Sequence, residues 1–331
     1  RGNALDYERW GADKGMQNWD YAHCLPYFKR MERCVVGEDA DEVFRGTDGP
    51  LTLERGPAST PLFKAFLKAV QQAGYPLTKD VNGYQQEGFA TFDRNIQRGR
   101  RFSAAQAYYH PVKGRRNLTL KTKMLTTRLL FEGKRVSGVE ANGERFHAGK
   151  VVVCGGAINS PQLLQLSGIG NGRELSQLGI EVVNDLPGVG ENLQDHLEVY
   201  VQYACKQPVS MNPYMKWYHK PGVGLQWLLF RKGPAATNHF EAGGFIRSND
   251  EVAYPNLMFH FLPWRFATTE AHRRGSMATR FTSGRCTQTR GGVLRSLLQI
   301  QACLRRCNST ICPQSRIVAN GLKRSSAAAK S

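Results

Sequence analysis

The sequence predicts a mixed α/β (α+β) fold, and three observations carry that prediction. A helical apolar period follows Thr60, alternating strands with tight turn dipeptides fill residues 118–147, and an apolar run at Val151–Cys154 leads through glycines into a helix. Apolar residues make up 41% of the 331, enough for a globular core. No apolar run reaches the roughly 18 residues that a membrane-spanning helix needs. The chain opens Arg1-Gly2-Asn3, without Met or an apolar leader. The expectation is that the true N-terminus lies upstream.

Taken in order, the first 35 residues read as helical and rich in aromatics. Trp10, Trp19, Tyr21, Tyr27 and Phe28 are expected in core or interface packing. A helix follows with Thr60 as cap, Pro61 in its first turn and Gly74 at its exit. Leu62, Phe63, Phe66, Leu67 and Val70 form its apolar stripe. Leu118 and Leu120 alternate with polar residues as in a strand. Arg128–Phe131 and Arg135–Val139 flank Glu132-Gly133-Lys134 as a hairpin, and Asn142-Gly143 marks a second, tight turn.

Val151–Cys154 reads as a strand buried on both faces of a parallel sheet. Gly155-Gly156-Ala157 follows, and Ser160 and Pro161 open a helix that closes at Ser167-Gly168. Strand, glycine turn and helix N-terminus form a geometry that lets backbone approach a cofactor, and an ordinary βα turn looks the same. Further on, Val199–Tyr203 is strand-like, Gly224–Phe230 helix-like, and Gly243–Ile246 strand-like. No internal repeat is present.

The net charge of +18 suggests a nucleic-acid binder until its distribution is read. Residues 265–331 hold 13 Lys and Arg against the single acid Glu270. The excess is therefore concentrated in a stretch without hydrophobic period, expected to be unpacked. Cys24, Cys34, Cys154 and Cys205 are scattered, which predicts buried thiols in a reduced intracellular compartment. Cys303, Cys307 and Cys312 are clustered, but their spacing matches no standard metal-ligand pattern.

Residues 156–170, GAINSPQLLQLSGIG, match every specified position of a signature of the glucose–methanol–choline (GMC) oxidoreductase family, which this chain therefore resembles. The stretch 186–196, LPGVGENLQDH, follows at the family's distance. Gly2 and Glu8, with five residues between them, fit the end of the family's first signature. Residues 1–10, 73–89, 186–198, 239–248 and 259–263 are most similar to its choline-oxidising members. The resemblance spans residues 1–264, taken as the GMC core with cofactor-binding and substrate segments interleaved. Residues 265–331 do not resemble the family, and a reading-frame error or a genuine basic tail for nucleic acid or anionic lipid are the two readings.

The resemblance implies a GMC-type FAD-binding domain built from separated segments plus a substrate domain on an antiparallel sheet, both incomplete. The family's glycine fingerprint is expected upstream of Arg1. Its catalytic His belongs to the family's C-terminal part and has no counterpart here, so no catalytic residue is assigned within this chain. The implied cofactor is FAD, and the implied reaction is oxidation of choline to betaine aldehyde by hydride transfer to the flavin. Thr126, Gly156, Ala157 and Asn192 are the implied cofactor-binding positions. Glu241, in Phe240–Phe245, is the candidate carboxylate for the quaternary ammonium. The electron acceptor is unidentified, a quinone being one option, and no nucleic acid or metal is expected. Another GMC alcohol dehydrogenase and a non-catalytic chain with a basic interaction tail are the alternatives.

Overall fold

A computed structural model describes residues 1–35, 41–196, 198–205, 207–264 and 278–285. They fall into two compact units, Arg1–Leu118 with the described residues from His196 onward, and Thr119–Asp195.

The first unit opens with helix α1 (Ala4–Gly11), entered through a capping box in which Asn3 and Asp6 satisfy each other's backbone N–H groups. Helix α2 (Tyr21–Met31) follows, capped by Asp20. Tyr7 joins the two by edge-on contacts with Trp10 and Phe28. Trp10, Trp19 and Tyr27 are exposed, which corrects their expected place in a core. Strands β1 (Glu32–Val35) and β2 (Leu51–Arg55) pair in parallel, and β2 pairs antiparallel with β4 (Asp93–Arg94).

Helix α3 (Pro61–Gln72) forms where the period placed it. Thr60 takes the N-cap position without a side-chain bond, and Gly74 leaves in the left-handed region. Its stripe lies on an antiparallel sheet ordered β12-β15-β14-β13-β3. These strands are β3 (Gly88–Thr91), β12 (Glu198–Ala204), β13 (Ala242–Ile246), β14 (Leu257–Leu262) and β15 (Ala278–Arg285). Side chains alternate across a strand, so each strand feeds two cores. Phe63, Phe66 and Val70 of α3 meet Phe89, Ala242, Ile246 and Phe261 on one face. Phe66 and Phe261 stack at 4.5 Å, the centre of that cluster. Ala90, Phe92 and Phe245 pack with Val81 on the other side. A hairpin of β5 (Ile96–Gln97) and β6 (Arg100–Arg101), a π-turn at Ala105–Tyr109 and helix α6 (Lys220–Phe230) complete the unit. Of the stretch 265–331, the structure describes only β15, where Thr279, Phe281 and Thr282 are residue types that suit a strand once neighbours supply the ladder.

The second unit is a meander of β7 (Thr126–Glu132), β8 (Arg135–Ala141) and β9 (Glu144–His147). Asn142 and Gly143 both have positive φ, +49° and +81°, as a two-residue hairpin turn of the primed kind requires. Helix α4 (Gly156–Leu166) follows, and the Ser167 hydroxyl accepts the Leu129 N–H at 2.8 Å, tying its end to β7. Strands β10 (Ile169–Gly170) and β11 (Asn184–Asp185) flank helix α5 (Gly172–Gln177).

Three sequence expectations change here. Leu118 and Leu120 lie outside any strand and are exposed. Val151–Cys154 forms no strand, and Val152 is 75% exposed. An apolar run becomes a strand only where a neighbour takes its N–H and C=O groups, and none of the described strands pairs with it. Helix α4 starts at Gly156 rather than Ser160, with Pro161 in its second turn at the loss of one ladder bond. All four described cysteines are free; Cys24 and Cys34 are buried as expected, whereas Cys154 is exposed. Burial pushes the Cys34 thiol up to about 12. Cys303, Cys307 and Cys312 lie outside the described residues.

The first unit is pinned by buried charge. Arg45, 1% exposed, reaches Glu32 at 3.0 Å, Asp80 at 2.6 Å and Asp93 at 2.8 Å. Arg55 bonds Asp93 at 2.7 Å, and Arg1 pairs with Glu32. Gly46 lets this turn approach α2, since a side chain there would meet the Lys29 carbonyl. Burial opposes the Arg45 charge, but Asp93, Asp80 and Glu32 outweigh it and hold its pKa above the usual range. Truncating Arg45 strands three carboxylates in a dry interior. Arg45→Met is expected to cost about 3–5 kcal/mol of unfolding free energy in denaturant titrations. A loss within about 0.5 kcal/mol, the range of an ordinary surface substitution, would show that the cluster is solvated.

Candidate functional site

Glu241 stands immediately before β13 in the first unit and is 3% exposed. Its carboxylate is fully engaged. Arg94 Nη1 donates to Oε1 at 2.8 Å, the Ala58 N–H donates to Oε2 at 2.8 Å, and the Thr237 hydroxyl donates to Oε1. Arg94 Nη1 also reaches Thr237 Oγ1 at 2.8 Å, closing a triangle. The strand period explains the arrangement. Asp93 and Arg94 are consecutive on β4, so their side chains leave on opposite sides. Asp93 goes to Arg45 and Arg55, and Arg94 goes to Glu241. Sequence reasoning found the carboxylate but missed Arg94, Thr237 and the Ala58 N–H. Arg94 and Ala58 are 147 and 183 positions away from it in the chain.

His239, between Thr237 and Glu241, has positive φ of +63° and lies with its ring 4.3 Å from that of Trp264. Burial lowers its pKa below the ordinary 6.5; Glu241 pulls it up and Arg94 pushes it down. Burial therefore favours the neutral form of the ring.

The four cofactor candidates belong to the second unit. Thr126 opens β7, half-buried, opposite Ala141. Gly156 is the first residue of α4, with φ of +83° and open space where a side chain would stand. Ala157 follows it, exposed. Asn192 is exposed in a loop with φ of +55°. The first N–H groups of a helix have no partner within it. At α4 they open beside a glycine with no side chain, so nothing there blocks an approach to the backbone. Glu241 and these four positions thus fall in different units. Among the described residues no cluster of His, Cys, Asp and Glu is arranged to hold a metal ion, and no helix is long and apolar enough to cross a membrane.

The family model described as GMC oxidoreductase matches residues 1–198. The oxygen-dependent choline dehydrogenase of Staphylococcus saprophyticus is 58% identical over 267 residues, covering 80% of this chain and 48% of that protein. The protein of the same name from Staphylococcus haemolyticus is 56% identical over 268 residues, with 80% and 47% covered. The chain spans about half the length of the curated relatives it matches. Among solved structures, pyridoxine 4-oxidase from Mesorbium loti superposes with a TM-score of 0.73 at 28% identity, covering 87% of this chain and 54% of that one. Aspergillus oryzae formate oxidase gives 0.78 at 22% identity, with 89% and 58% covered, a likeness of fold.

The half-buried His239, whose pKa burial lowers, makes a pH prediction. As pH falls below 6.5, the unfolded chain binds the proton first, so stability is complete above that value and is lost below it. The denaturation midpoint should fall on acidification from about pH 7 to about pH 5, and His239→Gln should flatten that fall. Identical pH slopes for the two proteins would show that the ring is not held neutral.

Proposed function

Because this chain belongs to the GMC oxidoreductase family, we propose that its protein oxidises choline to betaine aldehyde in an FAD-dependent reaction. The observation that carries this reading is the 58% identity to an oxygen-dependent choline dehydrogenase across 80% of the chain. FAD, when bound, supplies the hydride-accepting chemistry. The residues that would hold it here are Gly156 and Ala157 at the N-terminus of α4, with Thr126 and Asn192. Gly156, Ala157 and Asn192 are exposed and Thr126 is half-buried, and the open space at Gly156 fits a group approached through backbone.

For the substrate we propose Glu241 as the carboxylate that faces the quaternary ammonium. A fixed cation offers no hydrogen bond to read, so charge and aromatic faces are the means of recognising it. Its alcohol is oxidised at the far end of a two-carbon arm. The partner of Glu241 is Arg94, which holds the carboxylate in one orientation while the Ala58 N–H holds the other oxygen. The relatives' name makes oxygen their acceptor; oxygen and a quinone are the two acceptors to assay for this protein.

The purified full-length protein should show flavin absorbance that bleaches on anaerobic addition of choline. A protein that stays colourless after addition of FAD overturns the assignment. Glu241→Gln should raise the Michaelis constant for choline about ten-fold, while the uncharged isostere 3,3-dimethylbutan-1-ol is little affected. Flavin content and circular dichroism check folding. Equal losses for both substrates would make Glu241 a structural partner of Arg94 alone.

A further inference from the structure

Thr237 shares one hydroxyl among three partners. Its Oγ1 accepts an Arg94 Nη1 hydrogen at 2.8 Å and the His239 backbone N–H at 3.2 Å, and it donates to Glu241 Oε1. A hydroxyl has one hydrogen and two lone pairs, so these three bonds use all of it. A guanidinium and a backbone N–H can only donate, which leaves the single hydrogen for the carboxylate. Arg94 Nη1 carries two hydrogens, and it serves Thr237 Oγ1 with one and Glu241 Oε1 with the other. The hydroxyl has no second orientation in which all three bonds survive.

The backbone is wound to suit this joint. Thr237 leaves a short turn at Pro234–Ala236 in an extended conformation, and its bond to the His239 N–H closes a side-chain turn. Asn238 Oδ1 accepts the Phe240 N–H at 3.2 Å and closes a second one. His239 stands in the left-handed region between them. Together they return Glu241 to the hydroxyl four positions before it. The other flank is equally fixed. A Cβ at Gly56 would stand 2.9 Å from the Glu241 Cβ, and Ala58, with φ of +43°, aims its N–H at Oε2.

The use of such a clamp follows from the chemistry of a quaternary ammonium. A primary ammonium can draw a mobile carboxylate into place through its own N–H groups. A quaternary one has no hydrogen to offer, so the carboxylate must be set by the protein before the cation arrives. We propose that Thr237 is a positioning residue for choline, whose hydroxyl sets the Glu241 carboxylate against the ammonium. The proposal rests on the reading of Glu241 as the carboxylate that faces the cation. Thr237 acts through Glu241 and needs no contact with the substrate. Its methyl group contributes only a stiffer rotamer.

The test is steady-state kinetics of the full-length flavoprotein with choline and with uncharged 3,3-dimethylbutan-1-ol. Thr237→Val keeps the side-chain shape and removes the hydroxyl. It should raise KM for choline about five-fold or more, while kcat and the KM for the uncharged alcohol change less than about two-fold. Thr237→Ser restores the hydroxyl and should stay within about two-fold of the parent protein on both substrates. Flavin content and circular dichroism check folding, with Thr237→Ala in place of Thr237→Val if the latter does not load flavin. Equal rises for the two substrates overturn the proposal, and so does a Thr237→Ser protein with a choline KM raised as far as the valine variant is expected to raise it. Glu241→Gln in the same assay separates this proposal from the reading beneath it. If Glu241→Gln impairs both substrates alike, the reading of Glu241 fails and the role of Thr237 falls with it. If Glu241→Gln impairs choline alone while Thr237→Val does not, only the role of Thr237 fails.

Discussion

Everything in the first unit hangs on one guanidinium. Arg45 is held without solvent between Glu32, Asp80 and Asp93, which come from three separate parts of the chain. With Arg1 and Arg55 the cluster balances three cations against three carboxylates. Such a cluster is poor evidence of net stability, because desolvation cancels much of the attraction. Its effect is to exclude alternatives: any shift in register leaves a bare charge in a dry interior. That constraint fixes β4 against β2, with Arg55 opposite Asp93. Once Asp93 is fixed, its neighbour Arg94 must leave on the other side, and there it meets Glu241. The candidate substrate carboxylate is therefore oriented by a network whose centre lies elsewhere.

The parts of this fold that the sequence made legible are those whose signal is local. The stripe of α3 and the Asn142-Gly143 turn are each written within a dozen residues. The run Val151–Cys154 looked equally clear and formed no strand, because a strand depends on a partner that its own residues do not encode. The aromatics of the first 35 residues failed for a related reason. Trp10 and Tyr27 sit on short helices with little beneath them, so aromatic content alone did not imply a core. Long-range pairing was invisible: nothing near Glu241 announces Arg94, and nothing near Arg45 announces Asp80.

The site divides along the same line. Family membership was legible because its signature is a contiguous fifteen residues, and those residues build the open N-terminus of α4. Only its first residues, Gly156 and Ala157, are small and exposed; Gln165 and Ser167 further along are buried and hydrogen-bonded. The carboxylate was found by resemblance, but its partners Arg94, Thr237 and the Ala58 N–H required the structure.

A carboxylate bonded to a guanidinium at 2.8 Å presents a dipole more than a charge. At about 5 Å and an effective dielectric of about 20, an isolated carboxylate would attract a cation by about 3 kcal/mol. Arg94 subtracts from this by an amount set by its own distance to that cation. A quaternary ammonium therefore gains only if it approaches from the Oε2 side, where the ligand is the neutral Ala58 N–H rather than the guanidinium. Along that direction the carboxylate is nearer than its counter-charge and the attraction survives. From the opposite direction Arg94 repels. The pairing thus turns a non-directional force into one that favours a single approach, and this is what orientation of a small, spherical cation demands.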